Sequence, residues 1–382
     1  MDWLTGIFAN AQGWLFQALV QPALFALDLA SLFEDGYGAT AWFMVGVLQI
    51  VVLVAVIGPL QRWRPVEAMD SPADRASIRI DVLYTLIHRL GLFRLALFFT
   101  LDPWFDVAFG ALRTAGYGTF HLDQLWPGVT DKAAVSLLIY LLVFDFVAYW
   151  THRGQHQLTW WWQLHSLHHA QRQMTMWSDN RNHLLDSILI DTVVVVVAQL
   201  IGVAPDQFIL IVALTQLSES FQHANVRLWF GRVGERLWVS PRFHRLHHSI
   251  GLGHEAPTLP TACGSLPPEG ALPLQGATPP EPAHLKAVQA RAGGLGAAAF
   301  SLRPGEAGSA APASEDKAGV YRLGGVNFGV LLPWWDMLFG TANFELRYDP
   351  TGVRDQVEKQ RDYGSGFWSQ QWLGMKRLVG RA

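Results

Sequence analysis

The chain is poor in cysteine and in charge. Its 382 residues include one cysteine, Cys263, which excludes an internal disulfide framework and any cysteine-ligated zinc or iron–sulfur centre. Charged residues make up 15%, against about 25% in a soluble domain, and residues 3–33 contain no lysine or arginine. The formal net charge of −3 offers no basic field for nucleic acid. No H-E-x-x-H and no haem-attachment motif occurs. Gly294-x-Gly296-x-x-Ala299 matches a dinucleotide fingerprint in letters only, because no strand precedes it and no βαβ unit surrounds it. No cleavable leader is expected, since Met1-Asp2 provides no basic region before the apolar run. Any metal site here must be built from histidine and oxygen.

What the chain has in quantity is apolar surface and tryptophan: 51% hydrophobic residues and 17 Trp, with a mean hydropathy of +0.19. Tryptophan gathers where membrane meets water, so these numbers imply an integral membrane protein. Residues 1–38 read as interfacial helices. Thr40–Leu60 is almost uncharged and, at about 20 residues, long enough to cross a bilayer. Arg62, Arg64, Arg75 and Arg79 follow it, which places that loop in the cytoplasm. A second span is expected within Leu83–Leu101 and a third over Ala133–Trp150. Leu184–Val203 and Phe208–Phe221 form a hairpin around the short turn G-V-A-P-D-Q. This topology returns every histidine group to one face. The expected fold is all-α, with four to five transmembrane or re-entrant helices and a cytoplasmic helical cap.

Ten of the 14 histidines lie in or near three clusters. His152 and His156 are spaced i,i+4; His165, His168 and His169 are spaced i, i+3, i+4; His244, His247 and His248 repeat the second spacing. On a helix each set turns its imidazoles to one side. His183 and His223 stand nearby. So many imidazoles cannot all be protonated together, and packing them neutral without partners is costly. A cation removes both difficulties, and neutral imidazole suits iron, zinc or copper. One ion needs three or four ligands, so eight to ten histidines fit two ions, with iron favoured for oxygen chemistry and zinc possible in purified material. Asp145 and Tyr149 share a helical face with His152. A carboxylate inside an apolar span usually has a function, here expected to be orienting a ligand ring through its other nitrogen. Asp186 and Glu219 could serve His183 and His223 in the same way.

In order, D-x-x-x-Y-W-x-H-R-x-x-x-H, H-x-x-H-H, Arg181-x-His183, His223 in Q-H-A-N-V, S-P-R-F-H-R-L-H-H and N-F-G…W-D-M-L-F-G-T run from Asp145 to Thr341. That series resembles the sterol desaturase/fatty acid hydroxylase superfamily of membrane di-iron oxygenases. The resemblance implies a non-haem di-metal centre that uses O₂ as co-substrate to oxidise a C–H bond of a lipid. It carries the ligand role to His152, His156, His165, His168, His169, His223, His244, His247 and His248, and less directly to His183. A long Pro/Gly/Ala-rich insertion, residues 255–318, departs from the family pattern and reads as disordered; His254 at its edge is a possible further ligand. The catalytic domain is then 39–254 completed by 319–348, with 349–382 an amphipathic tail at the interface. W-D-M-L-F-G-T reads as a packing element over the site. With no cofactor motif of its own, the chain needs an external electron donor, such as a cytochrome b5-like protein, a ferredoxin or a reductase. A bacterial inner membrane is the expected location. Hydroxylation and desaturation would use the same centre. A non-redox zinc protein is the competing class, weakened by the missing hydrolytic base and by histidines gathered on one face instead of along a path.

Overall fold

The computed structural model describes residues 2–250 and 325–381. The expected disorder of 255–318, His254 and the Gly294–Ala299 motif lie outside the described residues. Among the described residues the chain is helical, with one isolated β-bridge between Ser249 and Thr351. The principal helices are α1 (Asp2–Leu15), α2 (Ala30–Trp63), α3 (Pro72–Arg89), α4 (Leu92–Thr100), α5 (Asp102–Thr114), α6 (Ala133–Gln157), α7 (Thr159–His169), α8 (Leu184–Ile201), α9 (Pro205–Gln222), α10 (Pro241–His247), α11 (Trp334–Phe339) and α12 (Phe367–Leu378).

Three helices, α2, α6 and α8, are long and apolar enough to cross a membrane. α3 and α4 make a fourth candidate only as a bent pair, turning by 50°. The second span therefore starts at Pro72, well before the expected Leu83, and breaks before Leu92. Gly91 causes the break: it adopts φ 78°, a left-handed conformation that costs other residues steric energy. Ser71 and Asp74 open α3 with a reciprocal capping box, which supplies two of the orphan N–H groups of its first turn. α9 matches α8 in length but is too polar to count among the candidate spans. It is nonetheless the return arm that delivers His223.

α6 buries Ser136, Tyr140, Phe144, Asp145, Tyr149, His152 and His156. That is one stripe at helical period, so the apolar run and the first two histidines share the inward face. Leu158, extended at ψ 110°, ends α6 and caps α7, folding the tryptophan-rich α7 back against α6. α2 crosses α3 closely enough that a Cβ on Gly46 would lie 1.6 Å from the Arg89 carbonyl oxygen. Small residues at such crossings let backbones approach.

The C-terminal tail is docked rather than free. Gln371 donates to the Tyr84 hydroxyl (2.8 Å) and accepts from Leu184 N (2.8 Å), and Arg377 donates to the Gln163 carbonyl (3.2 Å). A Cβ on Gly374 would sit 2.3 Å from His183 Cδ2. Gly374→Val is therefore expected to destabilise the protein by about 1–3 kcal/mol, the usual range for overpacking, read as a lower midpoint in thermal unfolding of detergent-purified protein.

Candidate metal centre

Nine histidines converge in two adjoining groups: His152, His156, His165, His169 and His247 in one, His168, His223, His244 and His248 in the other. Within each group the ligand atoms lie within 4.8 Å of one another, and all nine residues are buried. The two H-x-x-H-H runs contribute in opposite senses. In α7 the i,i+4 pair His165/His169 faces the first group and His168 the second. In α10 the pair His244/His248 faces the second and His247 the first. Consecutive positions on a helix diverge by about 100°, so an H-H pair necessarily addresses two neighbouring points. The His169 and His248 rings stack across the boundary, with centroids 4.2 Å apart.

Four of the rings have their orientation fixed through Nδ1. His152 donates to the Phe328 carbonyl (2.9 Å), His247 to the Val326 carbonyl (2.7 Å) and His223 to the Glu219 carbonyl (2.8 Å). His165 Nδ1 meets the Asp186 carboxylate at 3.1 Å. A carbonyl oxygen can only accept, so these partners leave Nε2 as the lone-pair nitrogen facing inward. Asp186 is held in turn by Gln155 (2.8 Å) and Trp161 (2.7 Å).

The second group tests whether metal fits. His223 Nε2 lies 3.2 Å from His168 Nε2 and 3.1 Å from His244 Nε2, and His248 Nε2 lies 3.1 Å from His244 Nε2. With its proton on Nδ1, His223 presents a bare lone pair to two neighbours. Nitrogens arranged around one cation at about 2.0–2.1 Å would be roughly 3.3 Å apart in a tetrahedron, close to what is seen. Nδ1 of His168, His244 and His248 is buried without a hydrogen-bond partner among the described residues. Burial first, and neighbouring imidazoles second, push His168, His169, His244 and His248 well below the usual histidine range. The rings are thus neutral near pH 7, the protonation state that binds metal. The donor set fits two cations.

The remaining sequence expectations fall differently. His183 lies outside both groups: its Nδ1 accepts from Leu185 N (3.2 Å), capping α8, and its Nε2 donates to the Gln371 carbonyl (2.9 Å). Asp145 does not orient His152, whose Nδ1 is already taken by Phe328. Its carboxylate accepts from Leu331 N (2.8 Å), Leu332 N (3.2 Å) and Trp335 Nε1 (2.9 Å). The Tyr149 hydroxyl meets Thr341 Oγ1 and Arg153, each at 3.1 Å. Both residues therefore anchor the 327–341 segment, and neither bonds to a metal-facing nitrogen. Asp186 serves His165 instead of His183, and it is the backbone carbonyl of Glu219 that holds His223.

The segment containing W-D-M-L-F-G-T does more than cover the site. Asp336 accepts from Phe328 N (2.8 Å), Gly329 N (2.7 Å) and Thr341 Oγ1 (2.6 Å), bending the backbone so that the Phe328 carbonyl meets His152. A Cβ on Gly329 would lie 2.7 Å from Asp336 Oδ2, so this approach requires glycine. The Val326 and Phe328 carbonyls carry no side-chain signal in sequence. Asp336, a lone acid in an apolar run, was the available pointer.

Residues 137–258, which span all nine histidines, match the family model described as fatty acid hydroxylase. This histidine-bearing region is similar to the fatty acid hydroxylase family over about a third of the chain. The ornithine lipid hydroxylase OlsE of Rhizobium tropici is 26% identical over 208 residues, 54% of this chain and 60% of that protein. The chain thus spans about 60% of the length of that curated relative. No solved structure matches the chain. The protein is a membrane protein with two histidine groups able to hold metal ions.

Disturbing the supports should weaken the site without removing a ligand. Asp186→Asn and Asp336→Asn are each expected to reduce metal affinity about 10–100-fold, measured by competition with a chelator followed by elemental analysis. Wild-type protein should contain two metals per chain, and His168→Ala or His247→Ala fewer; a well-folded wild type holding one or none would refute the two-site reading.

Proposed function

We propose that the protein is a membrane-bound, non-haem di-iron oxygenase that hydroxylates a C–H bond of a lipid. The observation that carries this reading is the pair of adjoining, buried, all-histidine groups. Nitrogen-rich ligation without a hydrolytic base suits a redox metal better than a zinc hydrolase. The relative named as an ornithine lipid hydroxylase supports a lipid substrate, and the candidate spans give such a substrate a route from the bilayer.

When bound, the two irons would supply O₂ activation. The overall change is lipid C–H, O₂, two electrons and two protons giving C–OH and water. The residues around the centre hold it in place and keep it dry. Asp186 and the carbonyls of Val326, Phe328 and Glu219 fix four ring planes. Asp145, Tyr149 and Asp336 hold the segment that provides two of those carbonyls, and the zero exposure of His156, His169 and His248 excludes bulk water from the ligands. The sequence has no motif for haem, flavin or iron–sulfur binding, so electrons come from a separate cytochrome b5-like protein, ferredoxin or reductase. The arginines at 62, 64, 75 and 79 support a centre at the cytoplasmic face, in our reading that of a bacterial inner membrane. Residues 39–254 and 319–348 form the catalytic domain, and residues 1–38 are interfacial.

Lipid extracts of cells grown under ¹⁸O₂ test the reaction. Cells with wild-type protein should contain a lipid with a labelled hydroxyl that is absent with His168→Ala. A new double bond without label would make the enzyme a desaturase, and unchanged lipids would sink the oxygenase reading. Purified protein with NAD(P)H alone should not turn over; steady product formation without a carrier would refute the external donor.

A further inference from the structure

The connection between α9 and α10 is cationic and apolar at once, and the centre uses none of its exposed side chains. Arg227, Arg232 and Arg236 are exposed, as are Trp229 (49%), Val233 (71%) and Leu237 (53%). The one acid of this stretch, Glu235, is turned inward, 1% exposed, where it pairs with Arg242 at 2.5 Å and accepts from Ser240 at 2.9 Å. The connection is tied to the end of α2, because Arg227 N donates to the Arg64 carbonyl at 2.7 Å. Arg62 and Arg64 are exposed there too, and Trp63, the last residue of that candidate span, is 72% exposed. Five exposed arginines thus stand beside bare apolar side chains, with no exposed carboxylate in residues 58–66 or 224–240.

We propose that this surface docks on the leaflet itself and binds anionic phospholipid headgroups. The arginines meet the phosphates, and Trp63, Trp229, Val233 and Leu237 lie in the hydrocarbon just beneath them. Two observations favour lipid over an acidic protein. Trp63 ends a membrane span, which fixes the patch at the level where that span leaves the bilayer. Apolar residues also alternate with the arginines along the chain, so cations and hydrocarbon-seeking groups occupy the same depth, as in interfacial segments. The segment leads directly into Ser240, whose hydroxyl accepts from Phe243 N (3.1 Å) and starts α10. Trp334 also donates to the Arg236 carbonyl (2.9 Å), so the patch is joined to the 327–341 segment as well. Anionic lipid bound there would steady both segments that shape the histidine groups. The inference rests on the chain being a membrane protein and is independent of which metal it holds or which reaction it performs.

The full-length protein is reconstituted into nanodiscs of phosphatidylcholine with or without phosphatidylglycerol, and amide hydrogen exchange is followed over residues 225–240. Phosphatidylglycerol should slow exchange in wild type, and the effect should shrink at high salt. Each arginine removed should weaken the preference for phosphatidylglycerol about fivefold, so R62Q/R64Q/R227Q/R232Q/R236Q should respond equally to both compositions. Val233→Asp should exchange faster than wild type in both. An unchanged thermal midpoint, compared at equal metal content, shows that the variants fold. Identical exchange of wild type in the two lipids, or a phosphatidylglycerol effect that survives in the fivefold variant, would overturn the proposal. So would protection by a soluble acidic electron carrier in the absence of any lipid effect.

Discussion

Everything in the described structure depends on keeping nine imidazoles buried and aimed at two neighbouring points. Each ring taken from water without a partner is unfavourable, and the four Nε2 atoms of the second group meet at 3.1–3.2 Å with too few protons to satisfy them. Cations resolve the conflict and in doing so couple folding to metal. The H-x-x-H-H spacing explains why two sites form together. A helix that offers an i,i+4 pair to one point offers the intervening i+3 position to another, and α7 and α10 make that exchange in opposite directions. Each helix thereby belongs to both groups, and neither group is complete with one helix alone.

Such a centre needs its rings held from behind, and the supports are mainly backbone. An irregular stretch, 325–341, reaches the site from the far side of the long insertion and carries two carbonyls to His152 and His247. Irregular backbone buried in a membrane protein must have its N–H groups satisfied. Two carboxylates do this. Asp336 takes two of the segment's amides and Asp145 another two. Asp145 thus explains an acid within an apolar span without any contact to metal.

Much of the helical framework was legible because apolar periodicity and span length are properties of contiguous residues. The nine clustered histidines were legible because their spacing has little use without a cation. What escaped were relations between distant segments. His183 has the residue type of a ligand and lies next to the centre in sequence, yet at the start of α8 its ring is more useful as a cap. Asp186 was paired with its sequence neighbour His183, whereas the fold pairs it with His165 on another helix. The bend at Gly91 was lost for a related reason: a break inside a hydrophobic run leaves hydropathy intact, and a single glycine is a weak signal.

The tail marks the same limit more generally. Its apolar residues suggested an amphipathic helix at the interface, but not that α12 would bury Gln370, Gln371, Gly374 and Arg377 while leaving Trp368 and Trp372 exposed at 77% and 63%. The inward residues hydrogen-bond to Tyr84, His183 and Gln163, and a lipid interface accounts for the outward ones. The wider fold follows the same logic. Arg242 is among its largest fully buried side chains, while leucines and tryptophans line its outside. In water, burial of apolar area drives assembly; against lipid it provides little preference between inside and outside. Polar residues then determine which faces meet. In this chain the histidines, aspartates and glutamines that looked like chemistry also perform most of the packing, so site and fold cannot be mutated independently.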